Sequence, residues 1–208
     1  MMGAIAGFGA RSFSRAGRER VVTERPEADA ELALARSAMD GDLAAFEELV
    51  RRHQRGLFGY LYRMCGNPAD AEEMAQQAFV KAWGGLRGFR GDSSFKTWLY
   101  RIATNLCINR ATRRKPTCEL PETLPAPESS EPAESYARER RIAAVREALD
   151  RLPADQRAAL VLVEYQDLSY RDAAAALGRS VRAVDSLLFR ARQNLRRLLG
   201  PAREKGIV

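Results

Sequence analysis

Two stretches of this chain carry residues suited to handling an anionic polymer. The first is Phe89-Arg90-Gly91-Asp92-Ser93-Ser94-Phe95-Lys96-Thr97-Trp98-Leu99-Tyr100-Arg101, which sets aromatic rings among cations and small polar side chains. Rings stack on unpaired bases and cations hold backbone phosphates, a combination that suits single-stranded nucleic acid. Within it, Arg90–Ser94 is polar and too hydrophilic for a core, so it is the better base-contact candidate. Phe95, Trp98 and Leu99 share helical spacing with Ile102 and read first as core. The second stretch follows Ser180. There Val181, Val184, Leu188, Ala191, Leu195 and Leu198 recur by threes and fours, while Arg182, Ser186, Phe189, Arg190, Gln193 and Arg197 fall opposite. A helix divided in this way can lay its basic side in the DNA major groove. A solvated arginine face would explain the charge alone.

The elements needed to position these residues are legible as helices. Ser169-Tyr170-Arg171-Asp172 has the form of a capping box and starts a short helix. Gly178 supplies the sharp turn after it, and Ser180 can cap the next helix. Ala174, Gly178 and Val184 stand at the small, glycine and apolar positions of a helix-turn-helix, with Leu177 and Leu187 as further packing positions. In the first half, Phe46, Leu49, Val50, His53, Leu57, Tyr60, Leu61 and Met64 mark one helix, closed by Gly66-Asn67-Pro68. A second helix buries Ala71, Ala75, Ala78, Phe79, Ala82 and Leu86. Its other side carries Asp70, Glu72, Glu73, Gln76, Gln77 and Lys81, a face that is either solvated or docks a protein. A third helix spans about Ser94–Arg114. Four more lie near Ala137–Arg151, Ala154–Tyr165, Tyr170–Leu177 and Val181–Leu199.

The charge distribution agrees with two modules facing nucleic acid. The 208 residues carry a net charge of +7. Between Arg87 and Lys115 there are eight cations against Asp92 alone, and between Arg179 and Lys205 eight against Asp185 and Glu204. The spacer between them, Pro116–Ser135, holds five glutamates, five prolines counted to Pro132, and no cation. It lacks the apolar surface to fold and reads as a flexible acidic tether. The expected organisation is all-α: a flexible extension (1–28), a first helical domain (29–115), the linker (116–136), a helix-turn-helix domain (137–200) and a tail (201–208). Cys65, Cys107 and Cys118 form no CxxC pair and His53 is the sole histidine, so the sequence offers no metal set and no nucleophile with its base. His53 falls in an apolar stripe and reads as structural. No cofactor is expected, an enzyme is disfavoured, and no apolar run is long enough to span a bilayer.

Asp70-Ala71-Glu72-Glu73-Met74-Ala75-Gln76-Gln77-Ala78-Phe79-Val80-Lys81-Ala82-Trp83, followed by Phe89 through Asn105, resembles the second conserved region of the extracytoplasmic-function (ECF) sigma factors. Leu152-Pro153-Ala154-Asp155-Gln156-Arg157, Leu168-Ser169-Tyr170 and Phe189-Arg190-Ala191-Arg192 resemble their fourth. The resemblance covers about Asp42 to Leu199 and implies a bacterial, cytoplasmic initiation factor whose partners are the RNA polymerase core, promoter DNA and commonly an anti-sigma factor. By it, Asp70, Glu73, Gln76 and Gln77 would dock on the clamp helices of the largest polymerase subunit. Arg90, Gly91, Asp92, Ser93, Ser94 and Lys96 would capture a flipped base of the −10 element, with Arg101, Asn105 and Asn109 along the DNA-facing side of the third helix. Arg171, Ser180, Arg182, Asp185, Ser186, Phe189 and Arg190 would read the −35 element. Three positions depart from the family's habit: Val163, Asp185 and Leu187 stand where a cation is frequent. The rival reading is a stand-alone helix-turn-helix regulator, which leaves the acidic and glutamine face and the aromatic loop of the first half unexplained.

Overall fold

The computed structural model describes residues 24–113 and 132–207. These form eight α-helices: α1 (Glu24–Met39), α2 (Leu43–Cys65), α3 (Pro68–Gly85), α4 (Phe95–Arg113), α5 (Pro132–Asp150), α6 (Ala154–Glu164), α7 (Tyr170–Leu177) and α8 (Val181–Glu204), with a 3₁₀ turn at Leu86–Gly88. No strand occurs among the described residues.

The helix boundaries follow local chemistry. Asp42 caps α2 by accepting from the Ala45 N–H, and Gly66, at φ +73°, ends it with its N–H donating to the Tyr62 carbonyl. Asn67 caps α3 through the Asp70 N–H, with Pro68 at a first-turn position that needs no donor. Ser169 caps α7 through the Asp172 N–H, and Gly178, at φ +62°, closes α7 by donating to the Ala174 and Ala175 carbonyls. A side chain there would face a left-handed penalty of about 1–2 kcal/mol. Ser180 caps α8 through the Ala183 N–H. Capping of this kind satisfies donors that the helix itself leaves unpaired.

Three boundaries differ from the expectation. Helix α1 starts at Glu24, inside the segment read as a flexible extension, and no helix was expected there; Ala35 and Ala38 are its fully buried residues, with Leu32, Leu34 and Met39 partly buried beside them. Helix α5 starts at Pro132, five residues inside the predicted linker, with the proline in the first turn, where its fixed φ is preorganised for a helix. Helix α8 runs past Leu199 through Pro201 to Glu204, taking in half of the predicted tail. The remaining linker, 116–131, lies outside the described residues.

The first half packs α2 against α3 and α1, with α4 across them. Leu49, Leu57, Tyr60, Leu61, Met74, Phe95, Leu99 and Tyr100 fill its interior. The second half packs α8 on α6, α5 and α7 around Leu160, Val161, Leu162, Val184 and Leu188. The halves also meet: α4 lies along α7, and α2 touches α5 and α6, so the buried residues form one continuous cluster. Polar contacts mark the seam. The Tyr100 hydroxyl donates to Gln166 Oε1 (2.6 Å), Lys96 Nζ donates to the Gln166 carbonyl (2.8 Å), and Arg157 Nη1 donates to the Met64 carbonyl (2.9 Å). The Arg63 guanidinium sits 4.4 Å from the Tyr165 ring centroid and Arg146 4.9 Å from that of Tyr62, both cation–π distances. Gln166 precedes Asp167, whose φ of 54° makes it the one non-glycine in the left-handed region among the described residues.

Candidate nucleic-acid interfaces

Helix α8 separates its two roles by face. Val184, Leu188, Ala191, Leu195 and Leu199 are buried, while Arg182, Asp185, Ser186, Phe189 and Arg190 are exposed. Phe189 is 68% exposed. Arg171, in the first turn of α7, and Ser180, the N-cap of α8, are exposed too, so all seven residues expected at the −35 element lie at the surface. Two of their hydroxyls are committed locally: Ser180 Oγ to its cap and Ser186 Oγ to the Arg182 carbonyl (3.0 Å). The expected buried side needs one correction. Val181, at the first helical position, is 47% exposed, and Leu198 is only half-buried while Leu199 points inward.

The sequence around Pro153 holds this unit together. Asp155 Oδ2 pairs with Arg179 Nη2 at 3.0 Å, and Gln156 Oε1 accepts from Asn194 Nδ2 at 2.8 Å. Arg157 ties the α5–α6 turn by donating to Asp150 Oδ1 (3.0 Å) and to the Asp150 carbonyl. Burial pushes the Asp150 carboxyl up in spite of Arg157, and pushes Arg157 down in spite of Asp150. Arg192 donates to Glu164 Oε1 (2.6 Å), and the bonds with Glu164 and Tyr170 raise its pKa against the opposing effect of burial. That guanidinium therefore braces α8 against α6.

In the first half, the loop after the 3₁₀ turn has Arg90, Gly91, Asp92 and Ser94 exposed and Ser93 half-exposed. Gly91 has φ +74°. The loop is bounded by buried Phe89 and Phe95, whose rings lie 6.3 Å apart and edge-on. Trp98 leans on both, at 5.2 Å from Phe89 and 5.9 Å from Phe95, and is half-buried. This aromatic trio anchors the loop ends and leaves the polar residues outside. Arg101, Asn105 and Asn109 are exposed on α4, spaced by fours on one side. Lys96 departs from the group: it is half-buried and its ammonium is held by the second half of the molecule at Gln166.

The polar face of α3 is also partly committed. Asp70 pairs closely with Arg110 of α4, and its side chain is only 13% exposed. Arg110 Nη1 also lies 3.6 Å from Glu73 Oε2, and Gln77 Nε2 donates to Glu73 Oε1 at 3.0 Å. Asp70 thus joins α3 to the far end of α4, while Glu73, Gln76 and Gln77 remain on the exposed side together with Val80 (73% exposed). The sequence placed Arg110 among the basic residues but gave no sign of this pairing.

Beneath the loop, Glu31 of α1 accepts from the Lys96 main-chain N–H at 3.0 Å, and its other carboxylate oxygen lies 3.4 Å from His53 Nε2. Burial opposes the charge, but the contacts with His53 and the Lys96 N–H hold this carboxyl below the usual glutamate range. His53 is structural, packed 5.5 Å from the Phe95 ring. The two thiols Cys65 and Cys107 are unpaired; burial pushes Cys107 up to about 12 and Cys65 upward as well, which suits inert core thiols. No group of His, Cys, Asp and Glu able to hold a metal ion occurs among the described residues, and no described helix is long and apolar enough to cross a membrane.

Comparisons with known proteins agree with both halves. The family described as Sigma-70 region 2 matches residues 49–117, and that described as Sigma-70, region 4 matches 142–195. The chain is 37% identical over 172 residues to the RNA polymerase sigma-H factor of Pseudomonas aeruginosa, a match covering 77% of this chain and 89% of that one. It is 39% identical over 174 residues to the ECF RNA polymerase sigma factor SigM of Mycobacterium tuberculosis, covering 83% and 85%. Its fold is similar to that of CnrH in complex with the cytosolic domain of CnrY (TM-score 0.66, 31% identity, 83% of this chain and 99% of that one). It is also similar to the sigma factor RpoE of Bartonella quintana, solved with the anti-sigma factor NepR (TM-score 0.63, 26% identity, 74% and 96%). With two helical units carrying the residues of both regions in the right order, the chain belongs to the ECF sigma factors of the sigma-70 family.

Proposed function

We propose that this sigma factor binds RNA polymerase core through the exposed side of α3, opens promoter DNA with the 90–94 loop and the outer side of α4, and reads the −35 element with α8. The observation that carries the reading is the division of α8. Val184, Leu188, Ala191, Leu195 and Leu199 are buried in the core, and its outward side offers Arg182, Asp185, Ser186, Phe189 and Arg190 together. A side chain such as Arg190 can donate to guanine, Asp185 can accept from the cytosine amine, and the Phe189 ring can meet a thymine methyl. The 90–94 loop supplies small polar groups beside a packed aromatic base, a setting for one unstacked base.

On the polymerase side, Glu73, Gln76 and Gln77 are the contact residues, and Asp70 orients them by fixing α3 to α4 through Arg110. Two of the relatives were solved with protein partners: CnrH with the cytosolic domain of CnrY, and RpoE with the anti-sigma factor NepR. By likeness to RpoE, this chain is held inactive by an anti-sigma factor, and as a sigma factor it works on polymerase in the bacterial cytoplasm. The test is run-off transcription from a library of genomic promoters with core polymerase. The reading requires transcripts sharing one −35 and one −10 motif; equal activity with and without the chain would refute it. Selection of −35 sites by Asp185→Ala and Asp185→Lys holoenzymes then decides the role of that residue. A changed preference at one base pair means readout, whereas uniformly stronger binding with the same motif means that the carboxylate only tempers affinity.

A further inference from the structure

Helix α4 begins directly at the end of the candidate base-capturing loop, so whatever fixes its first turn also fixes the loop's exit. The first N–H groups of a helix have no partner within it. Here the Thr97 N–H is satisfied locally by Ser94 Oγ (3.0 Å) and the Trp98 N–H by the Ser94 carbonyl (3.1 Å). The Lys96 N–H is satisfied from far away in sequence, by Glu31 Oε1 at 3.0 Å. Glu31 sits on α1, outside both family-matched segments.

Further contacts make α1 the floor of the loop. A Cβ placed on Gly91 would lie 3.7 Å from Leu32 Cδ1, in ordinary van der Waals contact, so the left-handed residue of the loop rests on the side chain next to Glu31. Helix α1 also meets the 3₁₀ turn at Leu86–Gly88, where the chain enters the loop. The second carboxylate oxygen of Glu31 lies beside His53, which is itself packed on Phe95, the first residue of α4. The Glu31 side chain is only 19% exposed. A carboxylate at this place serves the positive end of the helix dipole without presenting its charge to a DNA backbone.

We propose that Glu31 is a positioning residue for promoter opening: by holding the first turn of α4 from α1, it sets the geometry of the 90–94 loop that receives the unpaired −10 base. Helix α1 is then a working part of the −10 unit. The inference rests on the assignment of that loop to the −10 element.

The test uses holoenzyme carrying Glu31→Ala, Glu31→Asp or Glu31→Gln, with the loop variant Asp92→Ala/Ser93→Ala beside them. Two quantities are read on one promoter: closed-complex affinity, and permanganate reactivity of thymines near the start site. Removing the acceptor in Glu31→Ala should lower the open fraction about fivefold, the effect expected for loss of one capping group. Core binding and closed-complex affinity should stay unchanged, which general destabilisation would not leave so. Glu31→Gln keeps an acceptor oxygen for the Lys96 N–H and should restore most of the opening. Glu31→Asp keeps the charge but is one methylene short, should fold, and should open less well than Glu31→Gln, which keeps the test decisive if the alanine variant does not fold. If the loop variant loses opening while both Glu31→Ala and Glu31→Asp open normally, the inference fails and the −10 assignment stands. If the loop variant itself opens normally, the −10 assignment fails and takes the inference with it.

Discussion

On α8 the outward residues from Arg182 to Arg190 are exposed, and the helix is held only from behind, by Val184, Leu188, Ala191 and the Arg192–Glu164 pair. At the start of α4 the neighbours grip from two directions: Glu31 holds the Lys96 main chain from below, and Gln166 holds the Lys96 ammonium and the Tyr100 hydroxyl from the second half of the molecule. Both regions mix cations with an aromatic side chain, so composition makes them look alike. Their surroundings make one a preformed surface. The other has a geometry that depends on two other elements, one of them in the opposite half of the chain.

The largest effect expected is at Leu188, which is fully buried under the recognition face. Leu188→Ala should lower unfolding stability by about 2–5 kcal/mol, measured by denaturant titration. It should cost −35 binding because the face loses its backing. A stability loss below the range of a surface substitution would mean that α8 is not held from behind as described.

Arg190→Ala comes next. One lost base contact should reduce holoenzyme affinity for a −35-dependent promoter by about 1–3 kcal/mol, read by filter binding. The pattern of permanganate-reactive thymines on complexes that do open should not change. A shift in that pattern would erase the distinction between the two surfaces.

Gly178→Ala sharpens the preformed side of the comparison. Its φ is +62° and a Cβ would meet nothing within 4 Å, so the cost is conformational alone, about 1–2 kcal/mol by thermal melting. A neutral outcome would show that the turn relaxes freely and that α8 is not rigidly presented.

The smallest effect addresses the gripped side. Gln166→Ala removes the acceptor of the Tyr100 hydroxyl and should cost about 1 kcal/mol. Amide exchange should quicken in the first turns of α4 and in α7 while the outer turns of α8 keep their protection. Equal acceleration in α8 would show that the two surfaces are not independently held.

The helices and their caps were readable because each depends on a few adjacent residues: Ser169 with Asp172, Gly66 with Asn67 and Pro68, the three-and-four spacing of Val184 and Leu188. The exposure of Arg182, Phe189 and Arg190 followed from the same periodicity. What escaped were pairings between distant positions. Nothing local shows that Asp70 would spend its carboxylate on Arg110, forty residues on, or that Lys96 would turn to Gln166 rather than outward. Helix α1 escaped for a different reason. Its two fully buried positions, Ala35 and Ala38, are small, and the larger Leu32, Leu34 and Met39 are only partly buried, so the contrast between faces that reveals α2 and α8 is muted there. Trp98 was legible as an anchor because its neighbours at helical spacing are themselves apolar.

The central claim is that this chain directs core polymerase to promoters and does not act on DNA as a free-standing regulator. The most direct measurement is permanganate and DNase footprinting of one selected promoter with the chain alone, core alone, and both together. The account predicts protection of the −35 region and reactive thymines around the start site only when both are present. A full footprint from the chain alone, unchanged by adding core and without thymine reactivity, would contradict it.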